Sequence, residues 1–346
     1  MGARLSERCR ELPPACFAPV MATGIVSQAL GQAGAHAVSG VLFGLAAALY
    51  VPLLAAAGVK AAVHRGTVRA ELRDPGRLFG HYTLVAASGV LAGGAAGGPA
   101  RIAGWALLAV AVVVWAGLAR ATVRLRRAEP DAVLRRADGI WFLATVGLQA
   151  IVLTLTSLAP TRPGLAVALV LWGAGLPLYA GTLALVLRRL RHHPPRPAQA
   201  LPSYWVTMGA AAISTLAGAR LLGHEELLPG PARGLVGGTV VALWVWATVL
   251  IPPLVTAGVW RHLRHRVPFA YEPTLWCVVF PLGMYATATA QLAGEHRIDT
   301  GAVPHGLLAW LALSAWLAVG ARCLTGRAAG GARRGAAGGA AGGAAV

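Results

Sequence analysis

The chain has few charged residues: only 12% of its 346 residues are Asp, Glu, Lys or Arg, whereas 57% are hydrophobic. Soluble domains carry about 25% charged residues, so this composition excludes an ordinary water-soluble fold. Apolar stretches long enough to cross the roughly 30 Å hydrocarbon layer as helices recur along the sequence. We therefore predict an all-α integral membrane protein.

Several chemical signatures are missing as well. The four cysteines show no paired spacing, which argues against a disulfide framework or a CxxC metal site. The sequence contains neither a Walker A motif, which argues against ATP-driven transport, nor an HExxH motif. It also lacks a haem-binding histidine within a helix and a pair of intramembrane carboxylates. We therefore expect no cofactor, no metal and no enzymatic activity.

Ten apolar stretches have the length of membrane-spanning helices. They lie near residues 15–32, 38–59, 81–97, 103–119, 139–159, 164–187, 202–222, 232–259, 273–293 and 304–324. The sequence thus divides into an N-terminal segment, 1–12, a membrane domain, 13–324, and a tail, 325–346. Because the tail is rich in Gly and Ala, with a few arginines, we expect it to be disordered.

The basic residues are distributed unevenly between alternate loops. The net charge is +18, and 25 of the 30 Lys and Arg lie in the N-terminus, the alternate loops and the tail. The other five are Arg101, Arg162, Arg220, Arg233 and Arg297. The positive-inside rule then places both termini in the cytoplasm, with the protein in the cell membrane. This topology accounts for the charge without a nucleic-acid partner.

The odd-numbered stretches share a repeated pattern, in which an aromatic residue is followed seven positions later by a small one. The pairs are Phe17 and Gly24, Tyr82 and Gly89, Tyr204 and Ala211, and Trp276 and Gly283, with Trp141 and Gly147 displaced by one residue. Seven residues make about two helical turns, so both members lie on one helix face. The pattern predicts five quasi-symmetric helical hairpins, whose odd helices surround a central pore.

The odd stretches also carry most of the intramembrane hydroxyl and amide groups. Polar groups are costly in hydrocarbon unless they face a partner or water, so we expect the odd helices to form the interior and the even helices to face lipid. The candidates for contact with a permeating species are Thr23, Ser27, Ser88, Gln149, Ser214, Thr215 and Thr287. Gln149 and Gln28 could equally hold helices together.

The stretch WCVVFPLGMYA (276–286) places helix breakers at the centre of a membrane segment. Gly24, Gly89, Gly147, Pro281 and Gly283 would let the inner helices bend and widen the pore, although such glycines also serve as close-packing contacts. Phe280 follows Trp276 by one turn, where the other repeats have Met21, Ala86, Thr145 and Met208. A rigid aromatic residue there suits a hydrophobic gate, with ordinary packing as the alternative.

Four segments resemble one known family. FAPVMATGIVS (17–27), DGIWFLATVGLQA (138–150), PSYWVTMGAAAISTLAG (202–218) and EPTLWCVVFPLGMYA (272–286) are similar to the tellurite-resistance/dicarboxylate transporter family. Its members include bacterial tellurite-resistance permeases, fungal malate permeases and sulfite exporters, and plant slow anion channels. The resemblance implies ten helices in five hairpins, a homotrimer in the membrane lipid, and a central anion pathway that Phe280 occludes.

No charged residue lies at the centre of an apolar stretch. Arg220, near the outer end of the seventh stretch, could attract anions to an outer vestibule or extend to the membrane surface. Asp138 and Glu272 are interpreted as helix-start charges. The sequence therefore favours transport of small inorganic or organic anions, such as a dicarboxylate, sulfite, halide or tellurite-type oxyanion. A proton-coupled C4-dicarboxylate carrier and a non-conducting sensor or scaffold are the alternatives.

Overall fold

The computed structural model describes residues 2–193, 202–224, 226, 230–267, 271–294 and 305–342. Within these residues every regular element is helical. The helices are α1 (Gly2–Arg10), α2 (Ala18–Gln32), α3 (His36–Val63), α4 (Arg65–Arg73), α5 (Tyr82–Gly94), α6 (Arg101–Ala128), α7 (Pro130–Arg136), α8 (Leu143–Leu158), α9 (Arg162–His192), α10 (Trp205–Leu222), α11 (Gly230–Val259), α12 (Trp276–Gly294) and α13 (His305–Gly342).

Local sequence determines where several of these helices begin. The Asp138 carboxylate accepts a hydrogen bond from the Ile140 N–H at 3.1 Å, which starts the 3-10 turn before α8. Thr161 similarly accepts from the Gly164 N–H, and a proline occupies the first turn of α9. Side-chain oxygens and prolines at these positions satisfy or remove the unpaired N–H groups of a helix start.

Five helices form a closed inner ring. The helix α2 contacts α5, and the contacts continue through α8, α10 and α12 back to α2. The remaining long helices, α3, α6, α9, α11 and α13, each pack between two inner helices. Short connections such as residues 33–35 between α2 and α3 make successive helices antiparallel. The five predicted hairpins are therefore present, with their first helices inside.

Burial separates the two rings. In the most apolar 18-residue stretches of α8, α10 and α12, between 78% and 89% of the residues are buried. In the corresponding stretches of the outer helices the share is 17% to 28%. Side chains that remain exposed on the outer helices are largely apolar, as expected of surfaces that face lipid. The prediction that the odd helices form the interior is thus confirmed.

Eight of the described helices are long and apolar enough to cross a membrane, and the segment Leu78–Gly94 is a shorter apolar helix. The first inner helix, α2, has 15 residues. Helices therefore occupy all ten predicted positions, and together they form an all-α membrane protein. That all ten span the bilayer stays a prediction.

Hydrogen bonds from aromatic side chains join the two rings at five places, which lie at different distances from the starts of the inner helices. Every outer helix contributes at least one such bond to the inner helix of the following hairpin. The pairs are Tyr50 with Ser88, Trp115 with the Ala144 carbonyl, Trp172 with the Ser214 carbonyl, Trp244 with Thr289, and Trp316 with Thr23. Their lengths lie between 2.7 and 3.0 Å. A polar bond of this kind positions an outer helix that apolar lipid alone would not hold.

The last helix is longer than the sequence pattern predicted. The helix α13 continues to Gly342, through the segment that was expected to be disordered. The alanines of this segment favour a helix and its equally numerous glycines disfavour one, so helix propensity alone does not explain the continuation.

Candidate anion pathway

A cavity of about 310 Å³ lies between the inner helices. All five inner helices contribute to its wall. One residue from each helix forms a row around it, namely Ile25, Val90, Ala150, Ile213 and Met284. The cavity occupies the part of the ring nearer the C-terminal ends of the inner helices.

This row fixes the register of the five repeats. Ile25, Val90 and Met284 each follow the aromatic residue of their repeat by eight positions, directly after the repeated glycine. Ala150 and Ile213 follow Trp141 and Tyr204 by nine. The true anchors of α8 and α10 are thus the adjacent aromatic residues, Phe142 and Trp205. The equivalents of Phe280 in these helices are Val146 and Gly209, not Thr145 and Met208.

The polar part of the wall is asymmetric. It includes Gln28 and Gln32 on α2, Ser157 on α8 and Arg220 on α10. Among the described residues that line the cavity, Arg220 alone carries a charge, and its side chain is exposed. Gln28 donates a hydrogen bond from Nε2 to the Val90 carbonyl at 3.0 Å, which orients its amide. This wall combines one fixed positive charge with hydrogen-bonding groups.

Phe280 lies one helical turn before Met284 on α12. Residues four apart share a helix face, so Phe280 lies on the face that bears the cavity row, nearer the start of α12. Its side chain is fully buried. The adjacent Pro281 packs closely on α10, because a Cβ atom added to Gly209 would lie 2.8 Å from the proline Cγ. This contact holds the segment that carries Phe280 against its neighbour.

The four predicted glycines lie at close contacts between helices. An added Cβ atom would come within 2.6 Å of Val90 at Gly24, 2.7 Å of Ala150 at Gly89 and 3.0 Å of Ile25 at Gly283. Gly147 faces Trp115 and Val85 at 3.1 Å. These positions have the close-packing role that the sequence left open as the alternative, and Gly89 also lines the cavity. A bend at these glycines stays a prediction.

Four of the seven predicted polar contacts face the outer helices. The Ser27 hydroxyl donates to the Ser39 carbonyl at 2.8 Å, and Gln149 donates to the Trp172 carbonyl at 3.2 Å. Thr23 and Ser88 bond Trp316 and Tyr50, as described above. These four side chains hold the two rings together.

The other three hydroxyls bond to the backbone of their own helices. Ser214 donates to the Ala210 carbonyl, Thr215 to Ala211 and Thr287 to Gly283, at 2.7 to 3.0 Å. None of the seven predicted residues belongs to the described lining of the cavity, which includes Arg220 and Gln28 instead.

A buried ionic cluster lies at the other end of the ring, where α5 begins. Lys60 and Glu71 are 4% and 1% exposed and form an ion pair of 2.7 Å. Arg77 also pairs with Glu71 at 2.8 Å, and His81 lies 3.3 Å from the same carboxylate. Lys60 donates in addition to the Leu12 carbonyl at 2.6 Å. The cluster therefore attaches the N-terminal segment to the ends of α3 and α4 and to the start of α5.

Two further carboxylates lie at this end. Glu272 pairs with Arg261 at 2.7 Å before α12. Burial raises the pKa of the Asp138 carboxyl to about 6, while its hydrogen bond from the Ile140 N–H and the positive charge of Arg189 oppose the increase. Asp138 thus acts as a helix cap and also titrates closer to neutral pH than an ordinary aspartate.

The basic side chains collect at the same end. Lys60, Arg126, Arg127 and Arg189 lie in the last turns of outer helices, whereas Arg101, Arg162 and Arg233 begin outer helices at the opposite end. Arg297 lies outside the described residues. We call the end at which Lys60, Arg126, Arg127 and Arg189 lie the basic end of the bundle.

The fold defines the class of the protein: an all-α integral membrane protein with an inner and an outer ring of helices. Residues 11–324 match the voltage-dependent anion channel family. The chain belongs to this family, which confirms the family resemblance inferred from the four sequence segments.

Individual relatives are similar over parts of the chain. The uncharacterized membrane protein Rv1735c of Mycobacterium tuberculosis is 43% identical over 143 residues, which cover 40% of this chain and 71% of the relative. The uncharacterized transporter MJ0762 of Methanocaldococcus jannaschii is 25% identical over 155 residues, 43% of this chain and 44% of the relative. The family and the transporter-named relatives support transport of anions across a membrane.

Proposed function

We propose that this protein conducts small anions along the axis of the inner ring, through the cavity beside Arg220 and past a gate formed by Phe280. The observation that carries the proposal is the cavity itself, because all five inner helices wall it and its one described charge is positive. A fixed positive charge beside the cavity raises the local concentration of anions. The substrates are inorganic or organic anions of the dicarboxylate, sulfite, halide or tellurite-type oxyanion class.

The residues around the cavity suit weak binding and rapid release. Gln28, Gln32 and Ser157 offer amide and hydroxyl groups that replace part of the hydration shell of an anion. The row formed by Ile25, Val90, Ala150, Ile213 and Met284 offers none. An anion leaving the polar wall would thus meet an apolar row and then Phe280, which closes the path until the gate moves.

The arrangement of charges supports an orientation in the membrane. The basic end of the bundle also carries the N-terminal helix α1, so the positive-inside rule places the N-terminus in the cytoplasm. We accordingly place the protein in the cell membrane with both termini in the cytoplasm, and assign it a homotrimeric assembly by analogy with its family. No enzymatic reaction is part of this proposal.

Anion flux into liposomes tests the gate. Purified wild-type protein and a Phe280→Ala variant are compared with chloride, nitrate, sulfite, malate and tellurite. Removing the ring should raise flux at least about tenfold, because an apolar constriction is the main barrier in a pore of this kind. Phe142→Ala is the matched control, since Phe142 is equally buried but belongs to the anchor position of α8 and not to the gate row. Its flux should stay near the wild-type value.

The same assay has outcomes that contradict the gate. If Phe142→Ala increases flux as much as Phe280→Ala, general loosening of the ring explains the effect and the gate is excluded. If neither protein conducts although both elute as folded particles, the chain is a non-conducting sensor or scaffold, or a carrier that requires a gradient.

A proton-coupled C4-dicarboxylate carrier is the second candidate, because Asp138 at the basic end has a pKa of about 6. If the protein is such a carrier, an imposed proton gradient should drive malate uptake by the wild-type protein. The Asp138→Asn variant should show no uptake driven by the gradient. Asparagine keeps the helix cap, so loss of folding is not expected. Malate flux that ignores the proton gradient would eliminate the carrier.

A further inference from the structure

A cleft at the basic end of the bundle lies outside the axial pathway. It has a volume of about 530 Å³ and is bounded by α4 and the last turns of α6. Three arginines converge on it, Arg69 and Arg73 from α4 and Arg124 from α6. All three side chains are exposed.

The cleft is positively charged. Glu129 is the one carboxylate among its described lining residues, against three guanidinium groups. The ion pairs formed by the described residues involve none of the three arginines. Three neighbouring cations that lack acidic partners favour a ligand that brings negative charge.

The remaining walls of the cleft are apolar and continue a lipid-facing surface. Leu72, Ala121, Leu125 and Ala128 complete the lining. On α6 the exposed apolar surface includes Val113 and ends at Val123, directly before Arg124, with 71% and 48% of these side chains exposed. The arginines therefore lie at the depth where hydrocarbon gives way to headgroups, and their stems can extend along the apolar wall.

The next hairpin has an equivalent arrangement. The short helix α7 packs on α9 as α4 packs on α6. A cleft of about 460 Å³ lies there as well, with Arg126 and Arg188 on its walls beside Asp131. Two successive hairpins thus present arginines at the same edge of the bundle, although the second cleft has the smaller positive excess.

We propose that the cleft between α4 and α6 binds the headgroup of an anionic phospholipid. The phosphate would be held by the planar guanidinium groups of Arg69, Arg73 and Arg124, which match phosphate geometry, and the first acyl carbons would lie on Leu125 and Ala128. A volume of about 530 Å³ is in the range of small-molecule sites. The site lies outside the proposed anion pathway. The proposal therefore does not depend on which species passes along the axis.

Native mass spectrometry of the full chain tests the site, with phosphatidylglycerol and phosphatidylcholine of identical acyl chains as probes. The wild-type protein should bind phosphatidylglycerol at a concentration at least about tenfold lower than phosphatidylcholine. The triple variant Arg69→Gln, Arg73→Gln and Arg124→Gln should lose this preference. The control is Arg8→Gln, Arg191→Gln and Arg264→Gln, which removes the same charge from exposed arginines outside the cleft and should keep the preference.

Three outcomes would overturn the proposal: retention of the preference by the cleft variant, an equal loss in the control, or displacement of the lipid by inorganic phosphate at equal concentration. The last would identify a site for small anions instead. Size-exclusion profiles establish that both variants are folded. Should the triple variant aggregate, Arg69→Gln alone, on the exposed side of α4, gives the same readout and should reduce the preference about threefold.

Discussion

In the inner helix α10, 89% of the most apolar 18-residue stretch is buried. In the outer helix α11, the next long helix along the chain, only 17% of the corresponding stretch is buried. An inner helix is surrounded by protein and approaches its neighbours through glycine and alanine, so its packing has no free space. An outer helix packs on one side only and is positioned by a Trp or Tyr hydrogen bond. The two rings should therefore respond very differently to substitutions of the same chemical type.

The largest difference is expected for an added side chain. Gly89→Leu on α5 would place its Cβ atom 3.1 Å from the Ala150 backbone oxygen, which cannot move aside, so we expect a loss of at least about 3 kcal/mol in stability. Gly173→Leu on α9 meets nothing within 4 Å and should be neutral. Thermal unfolding followed by size-exclusion fluorescence measures both. Equal tolerance of the two substitutions would remove the distinction between the rings.

A smaller effect is expected from the aromatic bonds. Trp172→Phe removes the donor to the buried Ser214 carbonyl and leaves that oxygen with one partner fewer, at a cost of about 1–3 kcal/mol. Trp105→Phe, at a side chain that is 43% exposed on α6, should change the unfolding temperature by less than the error of measurement. A neutral Trp172→Phe would show that this hydrogen bond is not needed to hold α9 in place.

The smallest effect compares two arginines at the end of the bundle opposite the basic end. Arg220→Gln, in the cavity wall of the inner ring, should lower anion flux several-fold, with a larger effect at low ionic strength because the attraction is screened by salt. Arg162→Gln, at the start of the outer helix α9, should leave flux unchanged. Conductance measured at two salt concentrations distinguishes them. If both variants behave alike, general surface charge and not the cavity site attracts the anion.

The sequence predicted the arrangement of helices well, because one aromatic position and one hydrophobic span recur in each hairpin. The register failed in α8 and α10, where the repeat contains two aromatic residues in succession, Trp141 with Phe142 and Tyr204 with Trp205. In α10 both aromatic residues are followed seven positions later by alanine, and in α8 neither is followed by a small residue at that spacing, so the cavity row is needed to choose between them. The residues equivalent to Phe280 in α8 and α10 are accordingly Val146 and Gly209, and not Thr145 and Met208.

The orientation of the polar residues could not be predicted in the same way. An inner helix has protein on every side, so a hydroxyl or amide can be satisfied in any direction. Ser88 and Gln149 consequently bond outer helices, while Gln28, one turn beyond Gly24, lines the cavity. The outer partners Tyr50 and Trp172 carried a signal that was overlooked: each is a hydrogen-bonding aromatic residue near the middle of a long apolar helix.

The ring closes through a contact between its ends in sequence. Trp316 donates to Thr23, a residue 293 positions earlier in the chain, and α12 contacts α2. During synthesis the first hairpin is therefore made long before its final neighbours. Thr23 can bond Trp316 only after nearly the whole chain has been synthesised. A ribosome that stalls after the fourth hairpin would leave an open arc with a seam of unmatched glycine and threonine. The ring therefore closes only once α12 and α13 have been synthesised, because both helices contact α2.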